Sequence, residues 1–279
     1  MSDKKVMFKV RNLTKEFKIR GKKIGEKPQI LHALSDVSVD IYEGETLGVI
    51  GESGCGKSTF GKCLVQLHKA TAGSVEYEGR NIFELKGNDL KKLKRDIQMV
   101  FQDPFSSLDP RMTAGQLVEE PMIVHKIVTD KAERKKRALE LLQTVGLNVQ
   151  HVHRYPHEFS GGQRQRINIA RALSLTPKLI VCDEPVSALD VSIQAQVLNL
   201  FNQLQRQYHL TYVFISHDLS VIKHISDRIA IMYLGRIVEL CDADIIYENP
   251  LHPYTKALLS AIPPESPFEK KERIVLSGE

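Results

Sequence analysis

One short segment constrains the fold of this 279-residue chain more than any other feature. Gly51–Ser58 fits the pattern G-x-x-x-x-G-K-S, and it follows an apolar run at Thr46–Ile50 and precedes a predicted helix. Glycines let a backbone wrap closely around an anion with successive N–H groups pointing inward. The following helix presents its positive N-terminus to the same anion. The segment therefore predicts a strand–loop–helix unit that binds nucleotide phosphates, and its flanking elements disfavour a chance glycine-rich turn.

The residues of this loop have distinct predicted roles. Lys57 would place a positive charge at the β- and γ-phosphates, and the Ser58 hydroxyl would ligate Mg²⁺. Cys55 is a filler position, not a nucleophile. The predicted ATP-binding residues of the loop are Gly51, Glu52, Ser53, Gly54, Cys55, Gly56, Lys57, Ser58 and Thr59. A phosphate loop alone would equally suit a small kinase, a GTPase or a helicase.

Strand patterns of two kinds surround the loop. Val37, Val39 and Ile41 alternate with polar residues, and another alternating run begins at Val75. Half-buried strands with this period belong in antiparallel sheets. Nearly continuous apolar runs are instead typical of strands that helices cover on both faces of a parallel α/β sheet. There are three such runs: Thr46–Ile50, Leu179–Cys182 and Tyr212–Ile215.

Helical patterns occupy much of the remaining chain. One predicted amphipathic helix carries an apolar stripe with helical spacing, made of Ile193, Val197, Leu200, Phe201 and Leu204. Residues 130–147 are rich in Ala, Glu, Lys and Leu and predict another helix. Between residues 104 and 172 no segment has a convincing strand pattern, which favours a mostly helical insert. The polar stretch 21–28 predicts a loop, and prolines predict that the last ~25 residues form an extended tail.

Charge and cysteine content narrow the possible binding partners and the redox compartment. Lys and Arg total 39 against 34 acidic residues, a net charge of +5 that suits anionic lipid or phosphate but does not by itself indicate nucleic acid. The basic clusters at 91–95 and 131–137 are better explained as solvated helix faces than as a binding patch. The four cysteines form no CxxC pair, which fits a reducing compartment.

The chain has neither an apolar run of the roughly 18–20 residues that span a bilayer nor the apolar core of a signal peptide at its N-terminus. We therefore expect a cytoplasmic protein whose membrane role, if any, comes through a partner.

Two acidic residues follow the apolar run at Leu179–Cys182. Asp183 would hold the hydration shell of a magnesium ion, and Glu184 would polarise an attacking water as the general base. Two carboxylates at a strand end can also form a solvated turn. The phosphate loop earlier in the chain favours the catalytic interpretation.

The segment Ser160–Gln163 predicts a second anion-binding helix start. Ser160 stands at an N-cap position, Gly161 and Gly162 expose backbone N–H groups, and a helix follows through Ile167, Ala170 and Leu173. This helix start carries no lysine of its own. Two phosphate-binding elements in one chain suggest that each binds a nucleotide across a dimer interface. A capped helix with flexible glycines is the alternative.

Taken in chain order, these motifs resemble those of the ABC ATPases, whose LSGGQ signature has Phe159 in place of leucine here. The resemblance implies an α/β fold: a P-loop NTPase (RecA-like) core with an N-terminal antiparallel β subdomain and an inserted α-helical subdomain at about residues 104–172. It also implies a nucleotide-binding domain at 1–248 and a C-terminal extension at 249–279.

The resemblance adds roles for four residues. Gln102 of the Q-loop would ligate Mg²⁺ and couple the site to membrane subunits, and Asp190 of the D-loop would lie at the dimer interface. His217 would contact the γ-phosphate and join Lys57 and Glu184 as a catalytic residue. Phe17 is the candidate for stacking on adenine, with an ordinary strand aromatic as the alternative.

Four stretches resemble the ATPases of oligopeptide and dipeptide importers, closest to their F-type subunit: residues 101–112, 155–173, 182–200 and 249–255. This implies ATP and Mg²⁺ as cofactors, a second ATPase subunit of the D type, two membrane permeases and, indirectly, an extracytoplasmic peptide-binding protein. The expected location is the cytoplasmic face of the membrane, as a peripheral subunit. Members of this family commonly continue into a cysteine-containing segment, which is associated with an iron–sulfur cluster in some of them. This chain stops at Glu279 without such cysteines, either because the sequence is truncated or because the protein lacks the feature, so no cluster is expected in this chain.

Other functions share parts of this pattern. Nickel and metal-chelate importers have similar ATPases. A soluble ABC protein of translation usually carries two cassettes, and one of DNA maintenance places a long coiled coil between the phosphate loop and the signature. A regulator that binds a membrane complex without powering it would not need every catalytic position.

Overall fold

The computed structural model describes residues 5–19, 28–261 and 274. The chain divides into two compact units, one made of residues 1–83 and 214–279 and the other of residues 84–213. Each unit is described by itself.

The first unit contains an antiparallel sheet with the strand order β2-β1-β4-β5. Its strands are β1 (Val6–Ile19), β2 (Gln29–Tyr42), β4 (Ala72–Tyr77) and β5 (Arg80–Asn81). Val10 of β1 lies opposite Val39 of β2 and Val75 of β4. The predicted alternation is confirmed, because Val39 and Val75 are buried whereas Ser38 is exposed.

A second group of strands in the first unit is largely parallel. All five residues of β3 (Thr46–Ile50) are buried, and β3 pairs in parallel with β9 (Arg228–Tyr233). β10 (Arg236–Asp242) pairs antiparallel with β9. The end of β8 (Thr211–Ser216) belongs to this unit and lies beside β3. The continuous apolar run before the phosphate loop thus forms a doubly covered strand, as predicted.

Short helices complete the first unit. They are α1 (Lys57–Leu64), α7 (Leu219–Ile225), α8 (Ala243–Glu248) and α9 (Pro253–Ser260). The end of α7 packs closely on β3 at Gly48, where a Cβ atom would overlap Ile222 and Ser226. Gly48 is therefore needed for this helix–strand contact.

The second unit combines a parallel strand pair with helices. β6 (Ile97–Val100) pairs in parallel with β7 (Leu179–Asp183), and the first half of β8 follows β7. The helices are α2 (Gly87–Asp96), α3 (Ala114–Val124), α4 (Lys131–Thr144), α5 (Gly161–Leu173) and α6 (Val191–Tyr208). Residues 104–172 are all described by the structure, and they contain helices and turns but no strand. We propose this stretch as the helical subdomain.

The predicted stripe on α6 is largely buried. Val197, Leu200, Phe201 and Leu204 are at most 6% exposed, and Ile193 is half-buried. The helix predicted at residues 130–147 is α4, whose N-cap Asp130 accepts a hydrogen bond from the backbone N–H of Glu133.

The extended conformation predicted for the last ~25 residues is wrong where the structure describes them in succession. Residues up to Ser260 form α9, because Pro253 stands at the first helical position, where its missing N–H is harmless. The rest of the tail, apart from residue 274, and the predicted loop at residues 21–27 lie outside the described residues.

The first unit contains a buried ion pair. Arg228 Nη1 lies 3.1 Å from Glu45 Oε1, with side chains that are 15% and 1% exposed, and its guanidinium lies over the Tyr42 ring. Replacing Glu45 by alanine should lower the free energy of unfolding by roughly 3–5 kcal/mol, because the guanidinium is left buried without its carboxylate. Urea denaturation measures this loss.

The matched control is Glu43→Ala. Glu43 pairs with Lys5 at 2.7 Å, but the two side chains are 46% and 76% exposed, so water screens the pair and its loss should cost at most about 1 kcal/mol. Equal losses for the two variants would show that the Arg228–Glu45 pair is not a stabilising contact.

Candidate functional site

The phosphate loop connects β3 to α1 and depends on its glycines. Gly54 and Gly56 have φ angles of 82° and 107°, in the left-handed region that other residues rarely adopt. A Cβ atom at Gly56 would overlap the carbonyl oxygen of Ala33, and one at Gly51 would overlap that of Met232. The glycines therefore let the loop turn and pass close to neighbouring segments, and the wrapping of this backbone around phosphates stays a prediction.

Lys57 occupies the centre of this loop. It is 4% exposed, and its ammonium donates hydrogen bonds to the carbonyl oxygens of Gly51 at 2.6 Å and Glu52 at 2.8 Å. Ser58 and Thr59 follow in the first turn of α1 and are half-buried. A buried ammonium needs oxygen partners, and phosphate oxygens are chemically suited to replace the two carbonyls.

Phe17 lies on β1 in the same unit. Its half-buried ring meets the His68 ring edge-on, with centroids 5.3 Å apart, and Lys15 Nζ lies 4.9 Å from its centroid. These contacts fix the ring and place a positive charge beside it. The role of Phe17 in stacking on adenine stays a prediction.

Gln102 and Glu184 meet in the second unit. They follow β6 and β7, which are adjacent parallel strands, so both lie at the carboxyl edge of the pair. Gln102 Nε2 donates a hydrogen bond to Glu184 Oε2 at 2.9 Å. Because an ionised carboxylate only accepts hydrogen bonds, the amide nitrogen of Gln102 faces Glu184. The amide oxygen of Gln102 is the acceptor of that side chain and does not take part in this bond. Sequence reasoning missed this pairing, because it predicted no strand at β6 and a single sequence does not show which strands are neighbours.

The backbone of Glu184 is strained. Its φ angle is 47°, an uncommon conformation for a residue with a side chain, and its carbonyl accepts a hydrogen bond from Ser187 Oγ at 3.0 Å. Strain of this kind costs about 1–3 kcal/mol and concentrates at functional sites. Asp183, the last residue of β7, is 4% exposed.

The predicted N-cap at the start of α5 is confirmed. Ser160 Oγ accepts a hydrogen bond from the Gln163 backbone N–H at 3.3 Å, and Gln163 Oε1 accepts one from the Ser160 N–H at 3.0 Å. This reciprocal pair is a capping box. Gly162 brings α5 close to α6, since a Cβ at this position would overlap Ile193.

Two arginines of α5 hold the segment that follows Gln102, and sequence reasoning assigned neither. The Arg164 guanidinium lies 3.4 Å from the centroid of the Phe105 ring, and its Nε donates to the Pro156 carbonyl. Arg171 donates to the Ser107 carbonyl at 2.8 Å and pairs with Glu120 at 2.9 Å. Side chains of α5 thus connect this helix to the segment after Gln102 within the second unit.

His217 and Asp190 each stand next to a helix start. His217 is exposed and follows β8 in the first unit, where Asp218 caps α7 by accepting from the Ser220 N–H at 2.8 Å. Asp190 is the exposed N-cap residue of α6 in the second unit. Their roles at the γ-phosphate and the dimer interface stay predictions.

The described residues contain neither a metal-binding cluster nor a membrane-spanning helix. Among residues 5–19, 28–261 and 274, no group of three or more His, Cys, Asp and Glu side chains could hold a metal ion. No helix in the described part of the chain is long and apolar enough to span a bilayer.

The sequence matches two family models. The ABC transporter family matches residues 34–187, and the C-terminal region of oligopeptide/dipeptide transporters matches residues 238–278.

The sequence is also similar to characterised relatives. It is 57% identical, over 87% of its length and 80% of the relative, to the oligopeptide transport ATP-binding protein OppF of Bacillus subtilis (strain 168). It is 51% identical to OppF of Salmonella typhimurium (strain LT2), over 100% of this chain and 85% of the relative. A solved structure of the ATP-binding cassette MJ0796, dimeric in a post-hydrolysis state with ADP and Pi, superimposes with a TM-score of 0.74 at 35% identity, over 85% of this chain and 99% of that chain.

The contact at Gly162 predicts the effect of one added methyl group. Gly162→Ala should lower the free energy of unfolding by roughly 1–3 kcal/mol, because its Cβ overlaps the Ile193 side chain in a packed interface. Chemical denaturation measures the loss. Combination with Ile193→Ala, which removes the overlapping group, should cost less than the sum of the two single variants.

Gly161→Ala is the matched control. Its Cβ would meet only the end of the Leu189 side chain, at 3.3 Å, so a small rearrangement relieves the contact. Strict additivity of the Gly162 and Ile193 variants would contradict the packing explanation.

Proposed function

Because this chain belongs to the ABC transporter family, and within it to the oligopeptide and dipeptide transport ATP-binding proteins, we propose that it hydrolyses Mg-ATP to drive the import of small peptides. The pathway for the peptide is formed by separate membrane subunits. The observation that carries hydrolysis is the Glu184 carboxylate, which stands directly after a buried strand on a strained backbone and is oriented by Gln102.

ATP binds at the phosphate loop in this proposal. The backbone N–H groups of the loop and the start of α1 bind the phosphates, and the Lys57 ammonium exchanges its carbonyl partners for the β- and γ-phosphate oxygens. Phe17 stacks on adenine. His217 contacts the γ-phosphate as hydrolysis begins.

Three residues would bind magnesium through oxygen atoms: Ser58, Gln102 and Asp183. A hydroxyl, an amide oxygen and a carboxylate are the hard donors that Mg²⁺ prefers, and this ion usually binds through one or two carboxylates together with substrate phosphates. Such a site needs no cluster of His, Cys, Asp and Glu side chains. When bound, the ion neutralises charge on the phosphates.

Glu184 acts as the general base. It takes a proton from the attacking water while Gln102 Nε2 holds the carboxylate in place. Most of the remaining catalysis is positioning and charge stabilisation, since phosphoryl transfer demands little covalent chemistry from the protein.

A second ATPase subunit completes each site. The N-terminal turn of α5, Ser160–Gln163, in which Ser160 is exposed, faces the γ-phosphate of the partner's nucleotide, and Asp190 lies at the same interface. The dimeric state described for the solved cassette MJ0796 supports this arrangement. We assign a D-type ATPase as that partner, two permeases as the membrane subunits and an extracytoplasmic peptide-binding protein as the source of substrate. The chain then sits peripherally at the cytoplasmic face of the membrane.

Peptides are favoured over nickel or metal chelates as the substrate. The family model that matches residues 238–278 describes oligopeptide and dipeptide transporters, and both relatives named above are oligopeptide transport proteins.

Hydrolysis is tested by Glu184→Gln. The kcat for ATP should fall roughly 10²–10⁴-fold, the usual range for loss of a general base, while the Kd for ATP stays the same. Glutamine keeps an oxygen that can accept from Gln102 Nε2, so the local structure should persist. Glu140→Gln, an exposed change on α4, is the charge-matched control and should keep the native rate. Native turnover by Glu184→Gln would remove Glu184 from the role of base.

Binding is tested separately by Lys57→Ala. This change should weaken nucleotide binding itself, because it removes the positive charge that the phosphates would contact. Equilibrium titration with a fluorescent ATP analogue measures the effect, and Lys62→Ala in the last turn of the same helix should leave affinity unchanged. Equal affinity of the native chain and Lys57→Ala would contradict the assignment of the loop.

A further inference from the structure

A tyrosine near the end of the chain contacts the phosphate loop. The Tyr254 hydroxyl accepts a hydrogen bond from the backbone N–H of Glu52 at 3.0 Å, although the two residues are 202 positions apart. Tyr254 is only 2% exposed. It belongs to residues 249–260, here called the C-terminal segment, which precede and form α9.

The C-terminal segment is fixed to the first unit by its own hydrogen bonds. The Glu239 carboxylate on β10 accepts from the backbone N–H groups of Leu251 at 2.9 Å and His252 at 3.0 Å. Bonds to a carboxylate are stronger than neutral ones. The start of α9 therefore has a defined position relative to β10.

The Tyr254 side chain is in turn held in one direction. Its ring packs on the Tyr233 ring of β9, with centroids 4.3 Å apart, and its backbone N–H donates to His252 Nδ1 at 3.1 Å. Burial is the main cause that raises the pKa of Tyr254 to about 12. The hydroxyl is therefore neutral at physiological pH and accepts from Glu52 without bringing a charge to the loop.

On the loop side, the backbone at Glu52 is held by three partners. Its carbonyl accepts from Lys57 Nζ at 2.8 Å and from the Cys55 N–H at 3.3 Å, and its N–H donates to Tyr254. The loop is also fixed at Cys55, whose carbonyl accepts from the Gly235 N–H at 2.9 Å. Lys57 must leave the Glu52 carbonyl when it turns to a phosphate, whereas the bond that the Glu52 N–H donates to Tyr254 does not depend on Lys57.

We propose that Tyr254 is a positioning residue that holds the first turn of the phosphate loop in its binding conformation, so that the C-terminal segment contributes to nucleotide affinity. The inference rests on the proposed function, since it assigns a further residue to the same site. Without the hydroxyl, residue 52 has more conformations to lose when nucleotide binds, and a less ordered loop binds more weakly.

The test compares the native chain with Tyr254→Phe, which keeps the ring against Tyr233 and removes only the hydroxyl. The Kd for ATP should rise roughly 2- to 10-fold, the equivalent of one neutral hydrogen bond. KM should rise by a similar factor while kcat stays within about twofold, because the lost contact is the same in ground and transition states. In nucleotide-free protein, the Glu52 amide resolved by NMR should exchange its hydrogen faster.

Tyr212→Phe is the matched control. The Tyr212 hydroxyl is buried and donates to the Phe201 carbonyl at 3.2 Å within the second unit, so its removal also deletes one internal hydrogen bond. Thermal unfolding shows whether the two variants lose similar stability. ATP affinity and Glu52 exchange should remain native in Tyr212→Phe, because its partner is a helix carbonyl and not the loop.

The outcomes separate this inference from the proposed function. Native ATP affinity and native Glu52 exchange in Tyr254→Phe would overturn the positioning role and leave the ATPase assignment intact. The same rise in Kd for both variants would also overturn it, since the effect would then reflect stability alone. A native chain that binds no ATP would overturn the proposed function, and Glu52 exchange would still decide whether Tyr254 holds the loop.

Discussion

The burial of the Lys57 ammonium within its own loop is the constraint on which the functional part of the first unit depends. A buried charge is stable only when oxygen atoms surround it, and here the carbonyls of Gly51 and Glu52 supply them. They can do so because a fully buried strand, β3, delivers the chain to a fixed point, and because glycines pass where a Cβ would overlap the backbone of neighbouring segments. The loop thus satisfies the Lys57 ammonium internally, and in the proposed function phosphate oxygens would replace these two carbonyls.

In the second unit, too, the ends of strands fix the positions of polar residues. Adjacent parallel strands, β6 and β7, end side by side, and the residues that follow them are Gln102 and Glu184. The positive φ of Glu184 is maintained by bonds from Ser187 to its carbonyl, so the strain is offset by local structure. If Glu184 is the general base, as proposed, a carboxylate held in this way would not need to reorganise before it accepts a proton, and such preorganisation is a main contribution of proteins to catalysis.

Local patterns were enough to predict the elements that carry the motifs. The strands β3, β7 and β8, the stripe on α6 and the capped start of α5 each follow from a few neighbouring residues, because periodicity and capping are properties of short segments. Contacts between distant segments could not be predicted from one sequence, and the bond from Glu52 to Tyr254 and the stacking of Arg164 on Phe105 are of this kind. The prediction of an extended tail was wrong for another reason. It rested on the prolines of the tail, although a proline at the first helical position, such as Pro253, favours a helix.

The capping box at Ser160 is compatible with the proposed binding of a partner's phosphate at this helix start. Its two bonds, at 3.3 and 3.0 Å, join neutral groups, and such a cap stabilises a helix by about 1 kcal/mol. Bonds from the same N–H groups to a phosphate would be charge-assisted and roughly twice as strong as neutral ones. In the proposed dimer, exchange of one set for the other would therefore favour the nucleotide-bound state, and the contact of Gly162 with Ile193 of α6 does not involve these bonds. A helix start that is satisfied internally by weak bonds leaves neither of these two N–H groups unpaired in the separate subunit, and on this proposal closure of the dimer would depend on the presence of ATP.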